Sequence, residues 1–83
     1  MTDTPKRTKS ETARIVDAER AFRTLGISDR ENVLASCQEE NGDELILTAE
    51  RYESDARAVR QIQREFQNLD AEGRARLLRV LAS

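Results

Sequence analysis

Histidine and tryptophan are absent from the 83 residues, and cysteine, proline, methionine and tyrosine occur once each. Without histidine the chain lacks the commonest general base and the commonest metal ligand. The lone Cys37 excludes an internal disulfide, and with it a disulfide-stapled secreted mini-protein. With no histidine to activate it, Cys37 also lacks the usual partner of a nucleophilic thiol. Its place on one helical face with Val33 makes it a small buried hydrophobe. No apolar run is longer than three residues, as at Leu45-Ile46-Leu47. A membrane span or a signal-peptide core needs far more, so the expected setting is a reducing cytoplasm. The three glycines are scattered, which leaves no phosphate-cradling loop. Two phenylalanines and one tyrosine mean that the core must come from Leu, Ile, Val and Ala. These absences point away from an enzyme and assign no catalytic, cofactor-binding or metal-binding residue.

Charge is abundant: 36% of the residues are Asp, Glu, Lys or Arg, with a net charge of −2. Its layout is uneven, +2 over residues 1–27, −6 over 28–53 and +2 over 54–83. A partner therefore meets a polarised surface. The carboxylates Glu39, Glu40, Asp43 and Glu44 cluster about Asn41-Gly42, but their spacing departs from the twelve-residue calcium loop, so they read as a solvated acidic turn.

The length allows one domain with a small core. Residues 1–9 read as a flexible tail, and residues 10–83 as a single helical domain. Thr8-Lys9-Ser10-Glu11 fits a capping box, with Ser10 as the competing cap. Ile15, Ala18, Phe22 and Leu25 then mark the inner face of a first helix that Gly26 stops. Ser28-Asp29-Arg30-Glu31 is a second capping box, opening a short helix that carries Val33, Leu34 and Cys37 inward. Leu45, Ala49, Tyr52, Ala56, Val59, Ile62, Phe66 and Leu69 fall at alternating three- and four-residue spacings, which predicts one long helix over residues 43–69. That helix would run about 40 Å and organise the rest of the fold. Asp70 caps a last helix bearing Leu77, Leu78 and Leu81, with Gly73 weakening its first turn. The reading is all-α, with three to four helices. The alternative is α+β, with a β-hairpin over residues 33–52 turning at Asn41-Gly42 and a shorter helix capped by Ser54. No internal repeat is visible. Phe22, Tyr52, Val59, Phe66, Leu78 and Leu81 are the expected core.

Leu25-Gly26-Ile27-Ser28 resembles the turn of helix-turn-helix proteins, a likeness that implies a recognition helix directly after it. The apolar residue usual six positions beyond the glycine is displaced, because Asn32 stands there and Val33 follows. That helix also carries Asp29, Glu31, Glu39 and Glu40 against Arg30 alone, so phosphate would repel it. Basic residues nearer the two ends, Lys6, Arg7 and Lys9 with Arg74, Arg76 and Arg79, are the candidate contacts for nucleic acid. Leu69-Asp70-Ala71-Glu72, followed by spaced Arg and Leu, resembles helix starts in many small bacterial and phage proteins.

The expected function is a small helical protein–protein interaction module, a regulator, adaptor or inhibitor that acts by occupying a surface and associates with itself. The alternatives are a small nucleic-acid-binding regulator and, last, an enzyme. For self-association the stripe over residues 45–66 alternates large and small residues, which suits an antiparallel homodimer. Its acidic half, with Glu50 and Glu53, would then meet Arg57, Arg60 and Arg64 of the second copy.

Overall fold

A computed structural model describes residues 9–39, 52 and 55–83. These residues form an all-α domain of four helices: α1 (Glu11–Arg23), α2 (Ile27–Glu39), α3 (Ala56–Asn68) and α4 (Ala71–Ala82). Ser10 caps α1, its hydroxyl accepting from the Ala13 N–H at 3.1 Å, and Asp70 caps α4 by accepting from the Gly73 N–H at 2.8 Å. Both caps satisfy a donor that has no partner inside its own helix. α2 starts two residues earlier than its capping box predicts. Ile27 is already helical, and the Gly26 carbonyl accepts from the Arg30 N–H at 2.9 Å.

The single helix expected over residues 43–69 does not form. Asp55 is its break: at φ −57°, ψ 122° it leaves the helical region, and its carboxylate accepts from the Arg57 N–H at 3.0 Å. An N-cap side chain at this point outweighs a periodic stripe that runs straight through it. The stretch 43–51 of the expected helix lies outside the described residues. So does the second arm of the alternative hairpin, whose first arm is replaced by α2.

The organising helix is α1, which lies against both α3 and α4, while α2 packs on α4. Consecutive helices do not run side by side. Each pair meets at a corner, at residues 24–26 and again at residues 69–70, so the packing is between pairs. The core joins all four helices through Ala18, Phe22, Leu25, Val33, Cys37, Val59, Ile62, Phe66, Leu69, Leu77 and Leu81. Of the six residues expected inside, Phe22, Val59, Phe66 and Leu81 are buried, while Tyr52 and Leu78 are partly buried against the core.

The two corners resemble each other at an offset of 44 positions, an internal likeness that the sequence hides. Phe22 matches Phe66, Leu25 matches Leu69, Arg30 matches Arg74 and Leu34 matches Leu78. The backbone follows suit. The Leu25 N–H bonds the Phe22 carbonyl and the Leu69 N–H bonds the Phe66 carbonyl, at 3.1 and 3.3 Å. Each arginine reaches back over its corner, Arg30 to the Arg23 carbonyl at 3.0 Å and Arg74 to the Gln67 carbonyl at 3.1 Å. Val33 and Leu77 are both fully buried, and the buried Asp29 corresponds to the buried Gly73. Residues 10–39 and 55–83 are thus two helix–corner–helix units. They meet along α1 and α3, which run antiparallel: Arg14 reaches Glu65 at one end, and Ala21 and Ala58 line one cleft at the other.

Candidate interaction surface

Arg57, Arg60 and Arg64 are exposed and recur along α3 at helical spacing. Arg57 borders the cleft between α1 and the start of α3, together with Asp17, Arg20 and Gln61. Their expected acidic counterparts, Glu50 and Glu53, lie outside the described residues. The described half of the expected dimer seam faces inward. Val59 and Ile62 have no exposed surface and Phe66 almost none, because α1 of the same chain covers them. A second copy laid along that stripe would have to displace α1.

Four of the six nucleic-acid candidates are among the described residues. Lys6 and Arg7 lie outside the described residues. Lys9 is ion-paired with Asp17 at 2.7 Å and with Glu65 at 2.5 Å. Arg74 donates to the Phe66 and Gln67 carbonyls and lies over the Phe66 ring, 5.5 Å from its centroid. Arg76 is paired with Glu11 and lies near Glu72. Arg79 is exposed in the last turn of α4. The corner at Leu25-Gly26 joins α1 to α2. Its recurrence at Leu69-Asp70 makes it a device of this fold. The exposed face of α2 presents Ser28, Glu31, Asn32, Gln38 and Glu39 with no basic residue among them.

Glu65 was not singled out from the sequence, yet among the described residues it is the most deeply buried charge, 0% exposed. Arg14 donates to one carboxylate oxygen at 2.9 Å and Lys9 to the other. A buried carboxylate requires this pairing, since an unpaired one carries a large desolvation penalty. The hydrogen bond to Asp17, with Glu65 next, holds the Lys9 ammonium above its ordinary range. The same bond holds the Asp17 carboxyl below its own. Burial pushes the Cys37 thiol up to about 12, so it stays a thiol at neutral pH.

Comparing equivalent positions of the two units separates what the fold needs from what it does not. Ile27 is 73% exposed, and its counterpart is the small Ala71. Val16 is 41% exposed, and its counterpart is Arg60. Unit two therefore builds its corner without a large apolar side chain at the position of Ile27. Ile27 stands beside a groove of about 200 Å³ between α1, α2 and the end of α4. Phe22, Ile27, Leu34 and Leu81 are its apolar lining residues, Phe22 and Leu81 being almost fully buried, and Arg23 and Glu31 stand among the lining with opposite charges. Arg30, anchored on the Leu25 and Arg23 carbonyls, fixes the first turn of α2 and with it the position of Ile27.

Among the described residues no group of three or more His, Cys, Asp or Glu is placed to hold a metal ion, and no helix is long and apolar enough to cross a membrane. Comparison with family models, curated proteins and solved structures finds no match for this chain.

Proposed function

We propose that the protein is a small interaction module that acts by occupying a surface, and that its first partner is a second copy of itself. The observation that carries this reading is Ile27, a large apolar side chain left 73% exposed at a groove, where the repeated corner makes do with Ala71. In a two-fold contact Ile27 of each copy enters the Phe22, Leu34 and Leu81 groove of the other. The same contact sets Glu31 against Arg23 across the seam, so the rim charges complement themselves. An exposed isoleucine buried in this way supplies favourable transfer free energy that no feature of the monomer captures.

Sedimentation velocity of the wild type and of Ile27→Glu tests the reading. A dimer at high micromolar concentration that Ile27→Glu dissociates, with helicity unchanged, supports it. A wild-type monomer at that concentration overturns self-association, and a dimer indifferent to Ile27→Glu overturns the groove.

A further inference from the structure

The antiparallel seam between α1 and α3 has two ends related by the repeat, and they are built differently. Position 14 faces position 65 at one end, and position 21 faces position 58 at the other. The repeat makes these the same pair of sites with the units exchanged. One end holds Ala21 and Ala58. The other holds Arg14 and the fully buried Glu65, with Lys9 on the second carboxylate oxygen. The alanine end borders a cleft of about 320 Å³, whereas at the charged end Glu65 has no exposed surface.

We propose that the Lys9–Glu65–Arg14 cluster selects which units pair, admitting unit one against unit two and excluding either unit against its own kind. In an α3–α3 seam of the same geometry, Glu65 would be buried against Ala58 of the second copy with no cation opposite. In an α1–α1 seam, Arg14 would face Ala21 with no carboxylate. Both leave a buried charge unpaired, which is the most strongly disfavoured arrangement at an interface. Among the other buried positions Phe22 with Phe66, Leu25 with Leu69 and Val33 with Leu77 are interchangeable in kind, whereas Ala18 with Ile62 and Cys37 with Leu81 differ in size. A buried polar pair that fixes register and partner is the best-attested use of such groups.

The test is a disulfide reporter. In an α3–α3 seam the two copies of Gln61 would cross near the two-fold, whereas in the native seam Gln61 borders Asp17 and Ala21 of its own chain. Gln61→Cys is placed in a Cys37→Ser, Ile27→Glu background, so that association through the corner groove does not enter. Mild oxidation is then compared between the native seam and Arg14→Ala/Glu65→Ala, which copies the Ala/Ala end. The double variant should keep its helicity and give severalfold more 61–61 linked dimer. The charge exchange Arg14→Glu/Glu65→Arg should return the yield to the native level. Equal yields in all three overturn the proposal. So does a double variant that fails to fold, because the cluster would then supply stability rather than selection.

Discussion

Glu65 receives its two cations from one stretch of chain, Lys9 just before α1 and Arg14 within the helix's first turns. The start of α1 is thereby tied to α3, and Lys9, at the boundary of the expected tail, is part of the folded unit. Lys9 also binds Asp17, and the pH dependence of that contact follows from the direction of each shift. Asp17 titrates below its ordinary value of 3.8 in the folded chain, so the contact stabilises above that value and is lost as pH falls through the lowered one. Lys9 titrates above its ordinary 10.5, so its contribution is complete below that value and is lost as pH rises through the raised one. Lys9→Met should therefore lower the denaturation midpoint by a constant amount across neutral pH. That difference should shrink in acid below about pH 4 and in base above about pH 10.5. A difference independent of pH would assign the effect to packing of the lysine stem instead. The position of Glu65 was legible in principle: it follows Ile62 by three residues and adjoins Phe66, which puts it on the buried stripe. A reading that collected only apolar residues along that stripe passed over it.

At the level of elements, the caps at Ser10 and Asp70 were readable because a side-chain acceptor three residues before an orphan donor is a local signal. The break at Asp55 was just as local, but an apolar stripe on both sides of it spoke for continuity. The internal repeat was invisible because its units agree in burial more than in residue identity. Ala18 stands for Ile62, Ala21 for Glu65 and Cys37 for Leu81, and only the fold shows that each pair occupies one environment. Helix four illustrates how such an environment overrides propensity. Gly73 should cost its helix about 1 kcal/mol relative to Ala. Yet a Cβ there would lie 2.9 Å from Leu69 Cδ2, 3.2 Å from Leu69 Cβ and 3.3 Å from the capping Asp70 Oδ1. Leu69 is itself buried and has no free space to swing into. Gly73→Ala is therefore expected to destabilise by about 1 kcal/mol or more, the clash and the disturbed cap outweighing the propensity gain. Urea denaturation measures it, and a stabilised variant would show that the corner is looser than this geometry.

For the whole molecule, the question is whether the two units fold as one. Each unit has fewer residues than the roughly 40 below which a chain seldom folds without a staple, the lone Cys37 can form no internal disulfide, and among the described residues no group of His, Cys, Asp or Glu is placed to hold a metal ion. The core is also shared. Phe22 of unit one borders the groove with Leu81 of unit two, and Ala18, Val59 and Ile62 belong to the same cluster. Removing either phenylalanine ring opens a cavity in that one core, and the repeat places the two rings in equivalent, almost fully buried sites, 3% and 2% exposed. Phe22→Ala and Phe66→Ala should therefore each cost about 3 kcal/mol or more, by loss of transfer free energy plus the cavity. Arg74 over the Phe66 ring adds a cation–π contact, so Phe66→Ala should be the costlier by up to about 1 kcal/mol. In both variants far-UV circular dichroism and the sedimentation coefficient should change in a single coincident transition with urea. Two separated transitions would mean that a unit survives alone. A loss below about 1 kcal/mol at either ring would mean that its corner is not part of the common core.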